Sequence, residues 1–182
     1  RVAALTLSMP PNNDALDDFR DNARRAFSCL LECGYRELPS NDGSFVVAWS
    51  DNRTVVRCEG IHWDNDVSLT IGAAAVGSTA GPHSLWRLLE ALKPGLKSSA
   101  IGQTAQMHEG AEALLRVAEH VLRGDHTLFA QLTADADRRL AAARRAEEEE
   151  HQRLRAEGWV DGEICGMPAL IPPPNKMPPR TQ

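Results

Sequence analysis

Three short runs, "SFVVAWS", "TVVRCEGIHW" and "VSLTIGAAAV", constrain this chain more than any other feature. Each is rich in β-branched or aromatic residues, and only "DNR" and "DND" separate them. Asp and Asn favour tight turns because their side chains bond nearby backbone groups. Links this short join antiparallel neighbours, since a parallel return needs a long crossover. The expectation is a three-stranded antiparallel meander. On its middle strand Val55, Arg57, Glu59 and Ile61 share one face, and Val56, Cys58 and Gly60 share the other. The second face is the one to bury. Three strands without cover are marginal, so a helix must pack on it.

The stretch "NNDALDDFRDNARRAFSCLLECG" supplies that helix. Asn12 or Asn13 can cap it, and Asp14, Asp17 and Asp18 suit its positive end. Leu16, Phe19, Ala23, Phe27, Leu30 and Leu31 form an apolar stripe, and Gly34 is a natural stop. The preceding "VAALTL" reads as a short strand. "GAAAVGSTAGPH" lacks both the Gly-Lys-Ser/Thr of a phosphate loop and dinucleotide-type glycine spacing, and reads as a flexible connection. "SLWRLLEALK" is a short helix with Trp86, Leu89, Leu85 and Leu92 inward, ended by Pro94 and Gly95.

Two further helices meet at Gly124-Asp125. Leu114, Leu115, Ala118, Val121 and Leu122 face inward before the corner, and Phe129, Leu132, Ala136 and Leu140 after it. Gly124 suits the left-handed conformation that closes a helix, and Asp125 can cap the next. A DNA-recognition helix would bring basic or amide groups to the groove. This one carries His126 and Gln131, then Asp135 and Asp137, so packing is the better reading. After Leu140 the helix becomes Ala-, Arg- and Glu-rich, with its apolar seam broken at Glu147 and Glu150 until Leu154. A solvated, protruding helix explains that pattern, and a homodimer through this helix is the sharper alternative. The expected class is α+β: an N-terminal helix packed on a three-stranded meander, then three or more helices, the last long and charged. The expected divisions are a globular domain over 1–140, a charged helix over 141–158 and a Pro-rich tail over 159–182.

A chain of 182 residues suits one domain with an appendage. Its formal charge of −5 disfavours a nucleic-acid or anionic-membrane binder, which would show a basic excess. Cys29, Cys33, Cys58 and Cys165 are too few for a disulfide framework, and buried reduced thiols in a cytoplasmic protein are expected. The opening "RVAALTLSMPP" is too short for a secretory signal, though the chain begins with Arg1 and a removed leader stays open.

Catalytic motifs are sparse. "HEGAE" resembles the start of a zinc-protease helix, but its last position is Glu112 where that motif has a second His. His108, Glu112 and His120 make a metal-dependent hydrolase one alternative reading; an assembly or scaffold protein that oligomerises through its long C-terminal helix is the other. Cys29 and Cys33 have no companion ligands for zinc. On a strand, Cys58 and His62 stand about 13 Å apart, too far for activation. No catalytic residue, metal or cofactor is assigned. The meander turns are more suggestive: Trp63, Arg53, Asp51, Asp64, Asp66 and His62 form the expected partner-binding surface. Trp and Arg are frequent interface anchors, and carboxylates around them suit a basic protein target. Trp63 is balanced between anchor and core, whereas Trp49 and Trp86 read as core.

The succession of an amphipathic helix ending in "LLECGY", the run "FVVAWSDNRTVVRCEGIHWDNDVSLTIG" and the pair "ALLRVAEHVLRGDHTLFAQL" resembles small bacterial immunity-type proteins of polymorphic toxin systems. The resemblance rests on Gly34-Tyr35, the strands, and Gly124, Asp125 and Phe129, and covers residues 16–132. It implies a cytosolic, non-catalytic protein that binds and blocks a cognate toxin. It brings no active-site residues with it.

Overall fold

The computed structural model of the protein describes residues 13–40, 43–61, 66–74, 82–164 and 167–173. The expected strand at "VAALTL" and most of the expected loop after Ala73 lie outside them, as does Cys165. The chain divides into two compact units, residues 1–133 and 134–182.

The first unit is α+β. Helix α1 (Asn13–Ala26) turns into α2 (Ser28–Glu32) at Phe27, whose φ of −100° and ψ of 18° break the expected single helix. Leu16, Phe19, Ala23, Ala26, Phe27 and Leu30 are buried on one stripe, while Leu31, expected inward, is 57% exposed beyond the break. Gly34 has a φ of +87°, and Tyr35 N–H bonds back to the Leu30 carbonyl, closing the helix as Gly34 suggested.

Among the described residues the sheet has five strands rather than three, in sequence order and antiparallel throughout: β1 (Arg36–Glu37), β2 (Val46–Ser50), β3 (Thr54–Ile61), β4 (Asp66–Ala73) and β5 (His83–Ser84). The central three are the expected meander. The two added edges are two residues each, too short to carry a period of their own. Val47, Cys58 and Leu69 make one inward row across the sheet, and Trp49, Val56 and Ile71 make the next. The expected buried face of β3 is the observed one. At Gly60 a side chain would meet the Phe19 ring at 3.1 Å, so the glycine lets α1 lie directly on the strand.

Helices α3 (Leu85–Leu92) and α4 (Gln103–Leu122) share that layer with α1. In α3 the inward set is Leu85, Leu88 and Leu89; Trp86, expected inward, is only half-buried. In α4 the buried line runs through Met107, Ala111, Leu114, Ala118, Val121 and Leu122, with Leu115 half-buried. Helix α5 (Thr127–Ala156) starts in this unit, with Phe129 in the core.

In the second unit α5 ends at Ala156, and Gly158, with φ +90°, closes it. The expected tail is in part a hairpin: β6 (Val160–Ile164) pairs antiparallel with β7 (Met167–Ile171). Its Val, Ile and Leu content was masked in the sequence by the flanking prolines. Arg155 holds Asp161 across the cap at 2.9 Å.

Candidate protein-binding surface

The two ends of β3 carry different sets of polar residues. At its start, the β2–β3 turn lies against the α4–α5 corner. Asp51 accepts the N–H groups of Thr54 at 2.8 Å and Arg53 at 3.0 Å, and pairs with the Arg53 guanidinium at 2.8 Å. Burial alone would raise its pKa; the two N–H groups and the guanidinium outweigh burial and hold it low. Its side chain is 7% exposed, so Asp51 shapes the turn rather than serving as a rim carboxylate.

Thr54, fully buried, donates to the Val121 carbonyl at 3.3 Å and meets His126 Nε2 at 2.8 Å. Tyr35 donates to the Leu122 carbonyl at 2.8 Å. These carbonyls belong to the last turn of α4, where intrahelical donors run out. The corner is therefore closed by side chains from two other elements. Gly124 has φ +95° and its Asp125 neighbour bonds back to His120, as in a glycine-closed helix end. The Asp125 carboxylate takes the Thr127 N–H at 3.1 Å and so caps α5. A side chain at Gly124 would also press on the Arg53 stem at 3.2 Å. Gly124→Val should therefore cost about 2 kcal/mol in chemical denaturation, because left-handed backbone is costly for a side-chain-bearing residue; an unchanged midpoint would refute the corner geometry.

His83 packs its ring 5.0 Å from Phe129, and its buried Nε2 has no hydrogen-bond partner among the described residues. Burial lowers its pKa below the ordinary histidine value. The unfolded chain then binds this proton more readily than the folded one. The associated stability is complete above a pH of about 6.5 and is lost as pH falls through the depressed pKa. Thermal melts should decline below that pH, ahead of the carboxylate range, and His83→Phe should remove that part of the slope.

The other end of β3 faces the start of α4. Ile61 pairs with Asp66 and is 43% exposed. Asp66 accepts from Gln106 Nε2 at 2.6 Å, Val67 N–H donates to Gln106 Oε1 at 3.0 Å, and Gln103 reaches the Asp66 carbonyl at 3.3 Å. Asp66 thus ties β4 to α4. Glu109 holds the segment before α4: Ser98 Oγ donates to it at 2.6 Å, Ser99 N–H at 3.1 Å and Ala100 N–H at 3.2 Å. These donors, the Ser98 hydroxyl foremost, hold the Glu109 carboxyl below its ordinary range. What the pinned segment presents is Ile101, 93% exposed.

The expected partner surface is therefore not one patch. Asp51 and Arg53 sit at one end of β3 and Asp66 at the other, about 23 Å apart along an extended strand. His62, Trp63 and Asp64 lie outside the described residues. Ile101, Gln103, Gln106 and Glu109 were missed. Their only trace in the sequence is Ile101 placed between Ala100 and Gly102 in a polar stretch.

The residues of the alternative metal site do not converge. His108, Glu112 and His120 are exposed, Glu112 pairs with Arg116 at 3.7 Å, and no group of three His, Cys, Asp or Glu suited to a metal occurs among the described residues. Of the thiols expected to be buried, Cys33 is exposed and Cys29 half-buried, because they lie off the inward stripe, in α2 and at its C-terminal cap. Cys58 is fully buried, and burial pushes its thiol up to about 12, far from a thiolate nucleophile. Comparison with family models, with curated proteins and with solved structures yields no match.

Proposed function

We propose that the protein is a non-catalytic, immunity-type binding domain that neutralises a cognate bacterial toxin in the cytoplasm. The observation that carries this reading is Ile101: 93% exposed, on a segment held by the Glu109 carboxylate through several hydrogen bonds. Fixing an apolar side chain in water gives the free protein no burial energy. It lowers the ordering cost of association instead. Ile61 at the same end of the sheet adds apolar area, and the chain between it and Asp66 carries the expected anchor Trp63 and the carboxylate Asp64. The net charge of −5 suits a basic toxin domain.

The test starts from the genes adjacent to this one, where a secreted protein with a C-terminal toxin module is expected, and consists of binding and growth rescue with that module. The parent chain should bind it and protect the cell. Ile101→Asp should weaken binding by about thirtyfold, the loss expected of an interface anchor worth about 2 kcal/mol. Its melting temperature should equal the parent's. Parental affinity in the folded variant would remove this surface, and failure of the parent chain to bind would remove the function.

A further inference from the structure

From Ala136 to Glu150 every residue of α5 is exposed, on all sides of the helix, and none of the described residues of 134–182 is buried. This stretch separates its charges into blocks. Arg138, Arg139, Arg144 and Arg145 come first, and Glu147, Glu148, Glu149 and Glu150 follow. Within one helix the stabilising order is acid first, so these blocks are in the poorer order for pairing with each other. Arg138 turns back to Asp135, and Glu150 pairs forward with Arg153. Arg139, Arg144, Glu147 and Glu149 make no ion pair among the described residues.

A helix with a basic half followed by an acidic half is complementary to itself when reversed. We infer that this stretch of α5 is a self-pairing surface: a second copy lies antiparallel on it, with its Glu147–Glu150 block along Arg138–Arg145 and the reverse. The two-fold axis falls near Arg145, beside Ala146. Such an interface uses the same patch twice, as a closed dimer requires. A parallel partner would set like charge on like. Ala141, Ala142, Ala143 and Ala146 occupy the middle, where small side chains let the helices approach. Four turns of helix bury little area, so the dimer is weak and sensitive to salt. This inference is independent of toxin binding and is tested without a toxin.

The measurement is the mass of the full chain in solution, by sedimentation over a concentration series. The mass should rise toward twice that of the chain at low salt and fall back at high salt. Reversal of the acidic block (Glu147→Arg, Glu148→Arg, Glu149→Arg) should leave a monomer, as should reversal of the basic block (Arg139→Glu, Arg144→Glu, Arg145→Glu). Circular dichroism should show parental helix content in both. Mixed in equal amounts, the two variants should pair. Orientation is read from oxidative cross-linking in a Cys33→Ser background: Ala146→Cys should link to its own copy and Ala136→Cys should not. A parent chain monomeric throughout, variants that still self-associate, a mixture that stays monomeric, or cross-linking at both positions would each overturn the proposal.

Discussion

Trp49→Ala should destabilise the first unit by about 3–5 kcal/mol, the range for deleting a large buried aromatic. Trp49, next to last in β2, is 1% exposed and paired across the sheet with Val56. Its ring centre lies 5.1 Å from that of Phe27, the residue at which α1 gives way to α2. Removing the indole therefore opens a void in the sheet and frees the helix break at once. Trp49→Phe keeps most of the contact and should cost clearly less. Denaturant midpoints decide the matter, and equal losses for both variants would mean that the ring's size is not what matters there.

Gly110→Val should cost about 3 kcal/mol, toward the upper end for overpacking a core. Glycine inside a helix is itself unfavourable by about 1 kcal/mol relative to alanine, so its presence at the middle of α4 needs a cause. A Cβ there would stand 2.2 Å from Leu69 Cδ1, itself in the buried face of β4, and 3.5 Å from Leu85. Gly110 sets how closely α4 approaches the sheet. Gly110→Ala separates the two effects: its helix propensity gain should be outweighed by the clash, leaving a smaller loss. A stabilised alanine variant would show that Leu69 yields readily and that the close approach is not required.

Gly110 is also the glycine of "HEGAE", which illustrates what was and was not legible. Read as a motif, the segment pointed to metal chemistry at His108 and Glu112. Read by helical position, it places Met107, Gly110, Ala111 and Leu114 inward and the ionisable groups in water. The periodic signals were reliable where a face had to be buried: the α1 stripe, the inward side of β3, and the glycine corners at Gly34 and Gly124. The misplaced features were those set by contacts distant in sequence. Nothing local announces that Asp66 will serve Gln106, or that Glu109 will gather Ser98, Ser99 and Ala100. The expected surface treated Asp51 and Asp66 as neighbours because they are close in the chain. An eight-residue strand separates them. Leu31 and Trp86 exchanged places with Ala26 and Leu88 because a helix break and a one-position rotation do not alter an apolar count.

The sheet order, identical to the order in the chain, has a kinetic consequence. Each strand pairs with its immediate predecessor, so the sheet can zip from turn to turn with short loop closures. The long closure is concentrated elsewhere. Tyr35 and Thr54 reach the carbonyls of Leu122 and Val121 across 87 and 67 residues of chain. Docking of the α4 end therefore carries a long loop closure, whose entropy cost grows only with the logarithm of its length. A chain built this way can assemble its meander through short closures before the α4 end locks onto it.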